Sequence, residues 1–176
     1  MPGTQAHTAA HSHERQRMQD LLEEIGWKPE RSESGEGFFV DISDLDPVLS
    51  FAYIGLNDLD DTLNCTICFA ISAPADRRTE CASLFMAMNW NLATGNFQLD
   101  LEDGQLRHKS GINLSSATFQ ESFFKNLVVD ALVAVDKYKD IVCRFINGEL
   151  TLKEAIVSLK KLIAESEHDN DNRHMT

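Results

Sequence analysis

The segment Asn96-Phe97-Gln98-Leu99-Asp100-Leu101 alternates polar and apolar residues, and Asp103-Gly104 separates it from a second alternating stretch, Gln105 to Leu114. Alternation at period two puts every second side chain on one face of a strand, and an Asp-Gly pair suits a type I′ turn. This spacing predicts a β-hairpin, so part of the chain must fold around an antiparallel sheet with one apolar face. Three earlier segments supply its neighbours. Strands are predicted over Phe38 to Ile42, Leu49 to Leu56 and Leu63 to Ser72, and in the last of these Cys65, Ile67, Phe69 and Ile71 share a face. Their short connections, through Asp44, Asp46 and Pro47 and through Asn57 to Asp61, argue for an antiparallel meander.

Other segments repeat at the helical period. Met18, Leu21, Leu22 and Ile25 mark a short amphipathic helix from about Glu14, stopped by Gly26, with Trp27 packing back beyond it. Cys81, Leu84, Phe85, Met88 and Leu92 form the buried stripe of a second helix, which Asp76 or Thr79 is placed to cap and which stops near Gly95. Thr118-Phe119-Gln120-Glu121 and Thr151-Leu152-Lys153-Glu154 both have the form of a capping box. The first opens a long helix to about Ile146, with Phe123, Leu127, Ala131, Val135, Tyr138 and Val142 turned inward. The second opens a helix carrying Leu152, Ile156, Leu159, Leu162 and Ile163, which need cover from this chain or another subunit. The order α-βββ-α-ββ-α-α predicts an α+β fold, a mostly antiparallel five-stranded sheet with helices packed on one face. The expected organisation is a flexible arm over residues 1–13, a single domain over 14–165 and a flexible charged tail over 166–176.

Charge and motifs then exclude several functions. With 16 basic against 28 acidic residues the chain carries a formal charge of −12, which disfavours nucleic acid and anionic membranes as partners. No apolar run approaches the roughly 20 residues of a spanning helix, and the N-terminus lacks the apolar core of a signal peptide, so the expected location is cytoplasmic. In that compartment Cys65, Cys68, Cys81 and Cys143 are expected as thiols. Cys65 and Cys68 have C-x-x-C spacing, but on a strand residues three apart point to opposite faces and cannot hold one zinc. His7, His11 and His13 fall in the arm. The acidic clusters Asp41/Asp44/Asp46, Asp58/Asp60/Asp61 and Asp100/Glu102/Asp103 sit at strand ends, where solvated turn chemistry explains them. His108 shares the face of Leu106, Ser110 and Ile112, as a satisfied or half-exposed strand histidine. The signatures of nucleophile elbow, phosphate loop, dinucleotide fold and zinc protease are absent, so the chain reads as non-enzymatic, with no cofactor and no metal.

Ala87-Met88-Asn89-Trp90-Asn91, Gly95-Asn96-Phe97-Gln98-Leu99-Asp100 and Asp103-Gly104-Gln105-Leu106-Arg107-His108-Lys109, followed by Leu114, resemble the YbjN family. The later Ile146-Asn147-Gly148 and Leu152-Lys153-Glu154-Ala155-Ile156 are similar to that family's closing glycine and short helix. The resemblance implies a type III secretion chaperone-like fold and a regulatory or chaperone-like role, with no catalytic residues to carry over. Secretion chaperones of that fold are small acidic homodimers that hold an extended segment of a client.

Met86 and Trp90 lie four apart on the second helix, on a face that differs from its core stripe. A helix apolar on two faces is either buried on both or offers one to a partner. Met86, Trp90 and, as a floor, Phe97 are therefore the candidate partner-binding residues of a non-enzymatic, homodimeric module that holds a protein client or regulatory partner. The alternative is a sensor that takes a small ligand or metal between sheet and helices.

Overall fold

The computed structural model describes residues 11–173, with side chains to residue 166. Its elements run α1 (Ser12–Glu24), β1 (Glu30–Arg31), β2 (Gly37–Asp41), β3 (Leu49–Asn57), β4 (Thr62–Ser72), α2 (Arg78–Asn89), β5 (Asn96–Leu99), β6 (Gln105–Asn113), α3 (Glu121–Ile146) and α4 (Leu152–Arg173). The strands form one six-stranded antiparallel sheet in the order β1-β2-β3-β4-β6-β5. The α+β architecture with helices on one face is as the sequence predicts, with one strand more. The polar stretch after Glu30 folds back on itself, Ser32 N–H donating to the Gly37 carbonyl at 2.9 Å, and so adds β1 to the edge of β2.

A single core lies between the sheet and the helices. Val40, Ile54, Cys65, Ile67 and Leu106 fill it from the strands, and Met18, Leu21, Leu84, Phe85, Phe124, Val135, Tyr138 and Leu159 from the helices. Burying faces of this kind contributes roughly 25 cal/mol per Å² of apolar surface, which is why all four helices gather on the one side. Cys65 and Cys68 point to opposite faces of β4, as their spacing requires. Burial pushes the Cys65 and Cys81 thiols up to about 12, so neither supplies a thiolate at neutral pH.

Several local details differ from the sequence expectation. The hairpin is present, but Gly104 is its turn's one left-handed residue (φ +83), whereas a type I′ turn needs two. A five-residue loop forms instead, with Gly104 N–H donating to the Asp100 carbonyl and Asp100 N–H to that of Gln105, each at 2.9 Å. A side chain at Gly104 would also collide with the Ala73 carbonyl, its Cβ 2.2 Å away. The Thr151–Glu154 capping box is fully made, Thr151 N–H donating to Glu154 Oε2 at 2.8 Å and Glu154 N–H to Thr151 Oγ1 at 3.3 Å. Thr118 caps nothing, because α3 starts after Gln120, and α2 starts after Arg77 with no side-chain cap from Asp76 or Thr79. Ile25, expected on the apolar face of α1, is exposed at its C-cap. Phe124, one residue from the expected Phe123, is the fully buried ring of the first turn of α3. Helix α4 continues to Arg173 through residues expected as tail.

At the other end of the chain, His7 lies outside the described residues. His11 and His13, expected in the arm, sit at the start of α1, and the His11 ring lies 2.9 Å from Asp61 Oδ1. One turn on, Arg15 is 1% exposed; its guanidinium donates to Asp58 and, at 3.1 Å, to the Leu56 carbonyl. Asp58 is thus a buried ion-pair partner and not the solvated turn residue the sequence implies. The other acidic clusters are turn chemistry: Asp41, Asp46, Asp60, Asp100 and Asp103 each accept the N–H two residues on. Bonds from Ser43 hold the Asp41 carboxyl below the usual carboxylate range, and Lys139 does the same for Asp46.

His108 is the sharpest departure. It is 1% exposed, and neither ring nitrogen finds a hydrogen-bond partner among the described residues, nor does the neighbouring Ser110 hydroxyl. The imidazole packs edge-on to Phe97 at 5.0 Å and so close under Gly95 (φ +70) that a Cβ there would sit 2.6 Å from its Cε1. Burial lowers its pKa from 6.5 to about 4. The folded state therefore binds fewer protons than the unfolded one between those values. Stability should be level above about pH 6.5 and fall by about 3 kcal/mol as pH drops to 4. Denaturant titrations across that range, set against a His108→Leu variant that keeps only the smaller fall due to depressed carboxyls such as Asp41 and Asp46, check this. A wild-type curve parallel to the variant's would mean that the histidine is solvated.

Candidate functional site

Helix α2 presents two apolar faces. Cys81, Leu84, Phe85 and Met88 turn into the core, while Met86 is 76% exposed and Trp90, at the C-cap, 89%. Arg77 fixes the seating of α2, its guanidinium donating to the Leu150 carbonyl at 2.9 Å and lying 4.3 Å over the Phe145 ring at the junction of α3 and α4. Beside α2 runs α4, and between them lies a groove of about 460 Å³ lined by Ala87, Trp90, Asn91, Ile156, Leu159, Lys160, Ile163 and Ala164. Ile156 and Ile163, one helical face of α4, are only half covered by their own chain. The indole of Trp90 thus stands at the edge of an apolar trench.

Phe97 does not share this surface. It is 3% exposed and sits in an aromatic cluster with Phe85 at 5.6 Å, Tyr138 at 5.8 Å and Phe69 at 6.4 Å. On β5 its side chain points to the core face, so it supports α2 from beneath and presents no surface to a partner. Its backbone is also engaged: Phe97 N–H donates to Asn89 Oδ1 at 2.7 Å, and Asn89 Nδ2 donates to the Phe97 carbonyl at 3.0 Å. The Asn89 amide occupies the outer edge of β5 where another strand would otherwise bind. Among the described residues no three of His, Cys, Asp or Glu come together to hold a metal ion.

The model of the YbjN family, described as "Putative bacterial sensory transduction regulator", matches residues 14–142. The chain belongs to the YbjN family. The match takes in most of α1, the whole sheet, α2 and most of α3. No curated protein matches the chain in sequence. Among solved structures, the crystal structure of YbjN from E. coli, titled "a putative transcription regulator", superposes with a TM-score of 0.52 at 13% identity, covering 68% of this chain and 86% of that one. At that identity the likeness is one of fold.

In this YbjN-family chain the residues that sequence pattern brings forward divide cleanly. Met86 and Trp90 are both on the surface, Trp90 alone of the two lining the groove, whereas Phe97 is core. The groove wall from α4 was legible as uncovered apolar positions but not as a partner of α2, because which helices pair is a tertiary fact. The Asn89 clamp had no signal, since an asparagine near a helix end is ordinary.

Proposed function

We propose that this YbjN-family chain is a regulator that acts without catalysis, by holding an amphipathic helix of a partner protein in the groove between α2 and α4. The observation that carries this is the pairing of an 89% exposed Trp90 with an apolar trench one turn from an equally uncovered Met86. Trp is the residue type most often dominant in interfaces, and apolar grooves between helices take helices by their i, i+3, i+4 and i+7 positions. Lys160 is the one charged side chain among the groove's lining residues, so the apolar trench carries a single positive charge at its rim. A partner helix with an apolar face and an acidic residue opposite Lys160 fits it. Free cysteines throughout the described chain agree with a reducing, cytoplasmic setting.

A second copy of the chain is the other occupant the face supports, because a protruding indole beside a hollow is self-complementary about a twofold axis. Trp90→Ala is expected to weaken partner capture, or dimerisation read by sedimentation, by at least about tenfold, a loss of roughly 1.4 kcal/mol or more. Folding stability should change by less than about 0.5 kcal/mol, since the side chain is exposed. Retention of partner and oligomeric state in the variant would exclude the groove.

A further inference from the structure

The face of the sheet opposite the helices carries its own pattern. Phe39, Phe51 and Tyr53 stand together on β2 and β3, with ring centroids 5.6 Å apart for Phe39–Phe51 and 5.0 Å for Phe39–Tyr53, and Phe39 is 41% exposed. On β6 the outward residues of the same two rows are cationic. Tyr53 is in register with Thr66, and Thr66 with Lys109; one step along, Cys68 is in register with Arg107. The Tyr53 ring on β3 is thus separated from the cations by two strand spacings, about 9.6 Å, and Phe39 on β2 by three, about 14 Å, with successive rows about 7 Å apart. Thr66 and Cys68 between them are small and buried, so the face sinks into a trough of about 410 Å³ bounded by aromatic rings at one side and by Arg107 and Lys109 at the other.

The charges are also segregated. Arg107 donates Nε–H to Gln98 Oε1 at 2.8 Å, and neither Arg107 nor Lys109 forms a salt bridge with a carboxylate among the described residues. The one carboxylate in the trough, that of Glu36, lies at the aromatic side, where it accepts the Asp58 N–H at 3.3 Å. A ligand that matches this surface has a flat ring with amino hydrogens at one end and an anion at the other.

We propose that the trough is a binding site for a free nucleotide, its base stacked on Phe39 and Tyr53 and its phosphates held by Lys109 and Arg107. Aromatic side chains on an open sheet stack bases of any identity, and guanidinium and ammonium groups bind phosphate as charge-assisted donors. The net charge of −12 selects a free nucleotide over a nucleic-acid strand, because each further phosphate beyond the two cations meets repulsion. This site is separate from the α2–α4 groove and stands or falls independently of it.

The test is calorimetric titration of the full chain with ATP, GTP, CTP and UTP, beside inorganic phosphate, adenosine and an oligothymidylate strand. At least one nucleotide is expected to bind, and to bind about tenfold or more weakly in Phe39→Ala and in Arg107→Gln/Lys109→Gln, while Trp90→Ala leaves it unchanged. All three altered residues in the trough variants project to solvent, and circular dichroism of each variant is the check that it folds. No binding by any of the four nucleotides at millimolar concentration overturns the proposal. Phosphate binding as tightly as a nucleotide, which removes the stacking, or tighter binding of the oligothymidylate, which makes the site one for single strands, overturns it as well.

Discussion

Replacing Arg15 with methionine is expected to destabilise the fold by about 3–5 kcal/mol, the cost of leaving one half of a buried ion pair without the other. Arg15 sits inside the contact between α1 and the β3–β4 connection, and its partner Asp58 is itself only 8% exposed at the side chain. The methionine keeps the apolar stem but cannot donate to the Leu56 carbonyl or neutralise Asp58. Because the penalty lies mainly in the stranded carboxylate, Arg15→Met with Asp58→Asn should recover much of the loss, and the double-mutant cycle should show coupling of a few kcal/mol at most. Equilibrium denaturation of the four proteins measures this. Single variants within about 1 kcal/mol of wild type, with additive effects, would show that the pair is solvated.

Phe97→Ala is expected to cost about 3–5 kcal/mol, as truncation of a fully buried ring does. The ring touches α2, α3, β4 and β6 through Phe85, Tyr138, Phe69 and His108, so the space it leaves cannot be closed by moving one neighbour. Phe97→Leu should lose considerably less. Partner binding by whatever fraction remains folded should be unaltered, the opposite of Trp90→Ala. A Phe97→Ala protein of near-normal stability that had lost its partner would make the ring a surface contact, as its sequence context implies.

The pair shows where sequence pattern stops. Period and spacing located nearly every strand and helix, because burial on one face dictates them residue by residue. They separated Met86 and Trp90 from the core stripe of α2 for the same reason. They could not say that Phe97 lies under the helix and away from its exposed side, because that depends on how β5 docks against α2. Likewise His108 was legible as sharing the face of Leu106 on β6, but its lack of a hydrogen-bond partner among the described residues follows from what the other elements bring to it. Asp58 read as a turn residue until Arg15, 43 positions earlier, was placed beside it. The aromatic and cationic rows of the open face were visible singly in their strands and became a trough only with the register of four strands.

The two ends of the sheet have a consequence for how this molecule can assemble. One end is closed by a strand of only two residues, and at the other the Asn89 amide fills the hydrogen-bonding positions of Phe97. Growth by adding strands, which has no natural stopping point and ends in fibres, is thereby disfavoured at both ends. The association proposed through the α2–α4 groove is finite by contrast, since a groove once filled offers nothing to the next molecule. Asn89 therefore guards an edge as well as joining helix to strand: its replacement by alanine would free the N–H and carbonyl of Phe97 for a further strand.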